Sequence, residues 1–335
     1  MGSTAKPQLL LVHGIGGVRD ADEERREWKR ALAEGARAAG CERHISALTA
    51  DWLADSRFAD YSDLFRRRGA QGESPEPDAL DDEAALITLA LAVAYVDELD
   101  GSAGHDGDLR RIRAQASLYL ERDAAERKSQ GLMSPARQAA AVCAALARVP
   151  GVQLGLQRVS AARCLSILSQ PGRYLRRKER LTGDDGRVTT LDERIRERVA
   201  SELDPDRPLV VIGHSLGSVV ALETLAAYPG RAELFVTIGA PIAMNAFIWP
   251  RLRPQPPAVP DRVTEWLDAW DGDDPVVPLR RLSELIAPNA AGVLPRPLPL
   301  SSRAAWTHSA LTYLRRPEVA GPVMRTLVRL GEAGS

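Results

Sequence analysis

Pro208-Leu-Val-Val-Ile-Gly-His-Ser-Leu-Gly217 is the stretch on which the fold turns. Leu209 to Ile212 are apolar without alternation, so the segment must be covered on both faces. That is the habit of a strand inside a parallel sheet. The run ends in Gly213-His-Ser215-Leu-Gly217, and Ser218 to Tyr228 continue as a helix. Strand, sharp turn and helix form the setting in which a G-x-S-x-G pentapeptide exposes its serine hydroxyl on strained backbone. The helix start adds positive partial charge where an oxyanion would form. Gly213 and Gly217 stand where the turn crowds its neighbours. A tight turn without chemistry is the plainer reading of five residues alone, and the flanking elements favour a nucleophile at Ser215.

Outward from this turn the strand grammar repeats. Thr190-Leu-Asp-Glu193 is a capping box opening a helix with the stripe Leu191, Ile195, Val199 and Leu203. Downstream, Leu234–Ile238 reads as a strand, and Val263–Trp270 as another that ends in Asp271-Gly-Asp-Asp274. Pro250 to Pro260 is a surface loop between them. Near the N-terminus Gln8–Val12 is a third buried run, ending in His13-Gly-Ile-Gly-Gly17. A helix from Asp22 to Ala39 follows, with Trp28, Leu32, Gly35 and Ala39 at helical spacing and Gly40 beyond it, and Ile45–Trp52 reads as a second strand. The expectation is an α/β fold, a doubly wound, mostly parallel sheet flanked by helices.

Between residues 55 and 188 the strands give way to helical stretches at Leu80–Leu99, Asp108–Lys128, Pro135–Arg148 (Ser134 as cap) and Val152–Leu168. The expected division is therefore a core of 1–54 and 189–335 carrying a helical cap of 55–188.

Composition narrows the class. With 335 residues, 44% hydrophobic and 27% charged, the chain suits a core domain with a substantial insertion. A formal net charge of −1 gives no field to draw it to nucleic acid. The basic runs Arg66-Arg-Arg68 and Arg173 to Arg180 alternate with acidic ones such as Asp81-Asp-Glu83 and read as solvated surface. Three cysteines, Cys41, Cys143 and Cys164, make no disulfide framework and no zinc pattern. The apolar run Ala84–Val96 is too short to span a bilayer. The short lead from Met1 to the run at Leu9–Val12 leaves no room for a signal peptide's three regions, so the expected location is cytoplasmic.

The partners of a nucleophilic serine follow from chain order, which in this strand–turn–helix context is Ser, then Asp or Glu, then His. Of the five histidines, His13, His44, His105, His214 and His308, only His308 lies after Ser215. The loop Gly239–Trp249 holds no carboxylate, whereas the loop after Trp270 offers Asp271, Asp273 and Asp274. Asp274 opens D-x-x-V-P and is chosen over the other two to orient the imidazole. An acyl-transfer site also needs N–H donors aimed at the oxyanion. One comes from Leu216, the residue after the nucleophile, and one from an early strand-to-helix loop, here the glycine-flanked His13-Gly14-Ile15. A dinucleotide fingerprint fails at that loop, because the sixth position of Gly14-Ile-Gly-Gly-Val-Arg19 is arginine.

His13-Gly-Ile15, Gly213-His-Ser-Leu-Gly217, Thr237-Ile-Gly-Ala-Pro241, Asp274-Pro-Val-Val-Pro278 and Trp306-Thr-His308 together resemble the landmarks of the α/β-hydrolase superfamily. Within it they are similar to lipases and esterases whose oxyanion loop reads His-Gly-X. The resemblance covers about 1–52 and 190–330, and implies the Ile15 and Leu216 N–H groups as oxyanion donors. The expected activity is hydrolysis of a carboxylic ester through an acyl-Ser215 intermediate, with no metal or organic cofactor. A serine peptidase or thioesterase would use the same triad, and a non-catalytic partner-binding module on the same fold would be missing a triad member. The apolar stretches Ala84–Val96 and Ala139–Leu168 point to an acyl or lipid-like small-molecule substrate.

Overall fold

Strands at 8–12, 209–214 and 232–238, apolar along most of their length and almost wholly buried, demand a sheet covered on both faces, and the chain supplies one. The computed structural model describes residues 6–16, 20–65, 82–100, 106–122, 124–146, 148, 169–183, 186–244, 248–272, 274, 277, 282–301 and 308–333. In chain order the strands are β1 (Gln8–Val12), β2 (Asp55–Ala59), β3 (Arg180–Thr182), β4 (Val188–Thr190), β5 (Leu209–His214), β6 (Ala232–Ile238), β7 (Trp266–Asp271) and β8 (Pro295–Leu300). The helices are α1 (Ala21–Ala38), α2 (Ile45–Thr49), α3 (Asp82–Asp100), α4 (Asp106–Glu121), α5 (Ala124–Ser129), α6 (Pro135–Leu146), α7 (Gln170–Arg176), α8 (Leu191–Ala200), α9 (Leu216–Ala227), α10 (Ala310–Leu314) and α11 (Pro317–Ala333). They fall into two units, Met1–Gly14 with Val18–Tyr61 and Glu193–Ser335, and Ile15–Gly17 with Ser62–Asp192.

The first unit holds a six-stranded sheet in the order β2-β1-β5-β6-β7-β8, with every pair parallel. Its winding reverses between β1 and β5. In open parallel sheets such a switch point leaves a crevice outside the carboxyl ends of the two strands, where ligands bind. One face buries Leu9, Leu11, Val210, Ile212, Val236 and Leu267 against Trp28 and Leu32 of α1 and Val323 and Leu327 of α11. The other face carries α9, whose residues from Leu216 to Leu225 are all buried. A largely apolar helix must be covered on most of its faces, and this one packs on β5, β1 and β6.

Three departures from the sequence reading have physical causes. Ile45–Trp52 is no strand: Ile45 and Leu48 form a one-turn helical stripe, with Leu48 fully buried and Trp52 exposed. The strand comes later as Asp55-Ser-Arg-Phe-Ala59, a half-polar edge strand inside the segment read as insertion. β8 was unforeseen because Pro295, Pro297 and Pro299 argue against a strand. Proline is tolerated at a sheet edge where its missing N–H faces away from the ladder. Spacing two apart puts all three on the side away from β7, and leaves Arg296, Leu298 and Leu300 to pair. Finally, Asp108–Lys128 is two helices, α4 and α5, and Arg127 donates to the carbonyl oxygens of Tyr119 and Arg122 that the break leaves behind.

In the second unit Ala85, Leu89, Ala92 and Val96 of α3 form one buried stripe with Leu109, Ile112 and Ala116 of α4 and Ala139, Val142 and Leu146 of α6. Ser134 Oγ accepts from Arg137 N at 3.4 Å, as a cap before Pro135 should. The helix read at Val152–Leu168 lies outside the described residues.

One polar chain sits in the sheet of the first unit. Trp266 Nε1 donates to Thr237 Oγ1 at 3.0 Å, and that hydroxyl donates to Asp268 Oδ1 at 2.6 Å. Burial pushes the Asp268 carboxyl up to about 6, against the lowering effect of the Thr237 bond. An acid whose folded value exceeds its unfolded one loses its contribution as pH rises through that interval. Stability should thus fall between about pH 4 and 6 by up to about 3 kcal/mol from this group. Asp268→Asn keeps the acceptor and removes the charge. Its melting temperature should exceed wild type at pH 8, with the gap narrowing toward pH 5; a gap independent of pH counts against the assignment.

Candidate active site

The site begins with β1 and β5 lying side by side, Val12 opposite Gly213. β5 delivers Ser215 at its end with φ +53°, ψ −129°, a conformation that a residue with a Cβ adopts only when its surroundings hold it. Two hydrogen bonds do so: Ser215 N donates to Ile238 O of β6 at 3.1 Å, and Ser218 N donates to Ser215 O at 2.9 Å. The hydroxyl caps nothing in the helix that follows. Leu216 N–H, first in α9, has no acceptor within the helix.

Glycine is required where the two strand ends crowd this turn. A Cβ on Gly14 would stand 2.7 Å from Ser215 Cβ, and one on Gly213 2.8 Å from Ser218 Cα. At Gly217 it would run into the carbonyl oxygens of Val12 and His13. His13 is buried; its Nδ1 donates to Gly14 O at 2.6 Å and its ring stacks on Tyr61 at 4.2 Å.

His308 reaches the serine from just before α10. Its Nε2 is 3.0 Å from Ser215 Oγ, and its Nδ1 is 2.9 and 3.0 Å from Asp274 Oδ2 and Oδ1. A carboxylate only accepts, so Nδ1 carries the hydrogen and Nε2 is left to accept from the serine hydroxyl. Asp274 is buried, 2% exposed, so its charge acts in a low-dielectric setting. Among the three candidate carboxylates the structure brings Asp274 to the histidine. Asp271 is the last residue of β7, and Asp273 lies outside the described residues.

Several neighbours escaped the sequence reading. His214 Nε2 donates to the His308 carbonyl oxygen at 2.8 Å, with the two rings 4.8 Å apart. Tyr313 hydroxyl donates to Asp274 Oδ2 at 2.7 Å and accepts from Asp271 N at 3.1 Å. Gly239, at φ +56°, lies so close that a Cβ would meet Asp274 Oδ2 at 2.9 Å. All three contacts are long-range, and only the glycine at a strand end leaves a trace in sequence. In the second unit the Gln170 amide accepts from Gly16 N at 3.0 Å and donates to Gly16 O at 2.6 Å, fixing the peptide beside Ile15. Ile15 itself packs on the helical cluster of that unit.

Among the described residues no three His, Cys, Asp or Glu side chains group as a metal site, and no helix is long and apolar enough to cross a membrane.

A parallel sheet flanked by helices, with a serine on the strand–helix turn at its switch point, defines a hydrolase of the α/β type. The model of the alpha/beta hydrolase family matches residues 132–330, more than half of the chain, and the chain belongs to that family. It matches no curated protein and no solved structure.

The crowding at Gly217 has a measurable sign. In an open helix, glycine to alanine adds stability of up to about 1 kcal/mol. Gly217→Ala should instead destabilise by about 1–3 kcal/mol, because a methyl is driven into the end of β1. Chemical denaturation of the two proteins checks this, and a stabilised variant would show the contact to be loose.

Proposed function

We propose that the protein hydrolyses carboxylic esters through an acyl-Ser215 intermediate. The observation that carries this reading is the directed hydrogen-bond series from Ser215 through His308 to Asp274. Ser215 Oγ attacks the ester carbonyl carbon while its proton passes to His308 Nε2. Asp274 holds the Nδ1–H tautomer and stabilises the imidazolium that forms. His308 returns the proton to the leaving alcohol as the carbon–oxygen bond breaks. A water then repeats the attack on the acyl group, its proton passing to His308 and back to Ser215 as the acid leaves.

The tetrahedral oxyanion needs preorganised donors. Leu216 N–H at the start of α9 supplies one, supported by its position after the nucleophile. Ile15 N–H supplies the other, on the His-Gly-X resemblance alone.

Ser215→Ala should abolish fluorophosphonate labelling with the fold intact; label persisting on another serine defeats the assignment. Parallel kcat/KM values for ester, thioester and amide substrates, with acyl chains from acetate to octanoate, rank the ester reading against thioesterase and peptidase activity. The acid candidates separate by variant. Asp274→Asn should cost roughly 10⁴ in rate, whereas Asp271→Asn and Asp273→Asn should stay within about tenfold of wild type, well short of the loss of a triad member.

A further inference from the structure

Asp274 is held from two sides by one short piece of chain. His308 and Tyr313 stand five residues apart, with Tyr313 in α10, and both reach the same carboxylate oxygen. Tyr313 is 1% exposed, yet its hydroxyl is fully used. Asp271 N–H donates to the phenol oxygen, and the phenol's single hydrogen goes to Asp274 Oδ2. The directions of the hydrogen bonds are therefore set from a backbone amide at the end of β7 to the serine. Asp271 N–H donates to Tyr313, and Tyr313 O–H and His308 Nδ1–H both donate to Asp274. His308 Nε2 accepts from Ser215.

We propose that Tyr313 is a positioning residue of the catalytic site, which locks the Asp274 carboxylate as a two-donor acceptor facing His308. This rests on the triad reading of Ser215, His308 and Asp274. Two donors on Oδ2 suit an ionised carboxylate, and bonds to a charged group are the stronger kind. Burial, and then the neighbouring carboxylates, push the phenol far above the ordinary tyrosine range, so it remains a donor at every working pH. Gly239 closes a further side: a Cβ there would meet the Tyr313 ring at 3.2 Å as well as the carboxylate. With the phenol gone, the carboxylate loses one of the bonds that fix its rotation, and its hold on Nδ1–H loosens.

Tyr313→Phe keeps the ring and deletes one oxygen. Proton NMR reads the hydrogen between His308 Nδ1 and Asp274 without turnover, in the Ser215→Ala background as well as in wild type. Tyr313→Phe should broaden or lose that resonance through faster exchange with water. On a short ester, kcat should fall about 10- to 100-fold, the range of a lost bond to a charged group, with KM within about twofold. Val323→Ala, a buried lesion in α11, serves as the control for stability. It should lower the melting temperature and leave the resonance and kcat alone. An unchanged resonance in Tyr313→Phe overturns the proposal, as does a loss of signal shared equally by Val323→Ala. If wild type turns over no ester, the hydrolytic reading falls, and the NMR comparison alone decides whether Tyr313 positions Asp274.

Discussion

The close parallel contact of β1 with β5 is the constraint on which the rest depends. It places Val12 beside Gly213, so the two strands end together at the point where the winding of the sheet reverses. Whatever follows them must share one small volume. The chain meets this with residues that lack a side chain, Gly14 after one strand and Gly217 in the first turn of the helix after the other. Ser215 then has a single place to go, and its positive φ is the geometric result of a turn squeezed between β1 and the carbonyl of Ile238. Strain of this kind costs on the order of 1–3 kcal/mol, and persists only where surroundings over-determine it.

That constraint also explains how much was legible in the sequence. Gly213-His-Ser-Leu-Gly217 announced the turn because each of its glycines answers a nearby atom, and a buried parallel strand must precede it. His308, chosen by chain order, and Asp274, chosen from the loop after the next strand but one, are the residues the fold brings toward Ser215. The periphery was harder to read. β2 carries Asp55, Ser56 and Arg57, since an edge strand needs only one neighbour and tolerates polar residues. β8 hides behind its prolines. Helices fared better, because their stripes, such as Ile195 and Val199 in α8 or Leu89 and Val96 in α3, repeat over several turns.

The supports around the candidate site left almost no sequence signal. His214 holds the carbonyl of His308 from 94 residues away, and Tyr313 meets Asp274 across 39. No local rule links such positions; the fold must exist before they meet. They share a physical character, however. Each is a side chain at least partly buried that spends a hydrogen bond on a loop, which is how a loop acquires the rigidity of an element with a ladder of its own.

The proline-studded last strand has a consequence for company rather than for catalysis. Its outer rim presents carbonyl oxygens at Pro295, Pro297 and Pro299 with no N–H between them. A strand from another molecule laid along that rim would find acceptors and no donors, and half of every pairing would go unmade. The sheet therefore ends at β8 for a chemical reason, and the flat, extended edge that invites uncontrolled stacking is refused on that side.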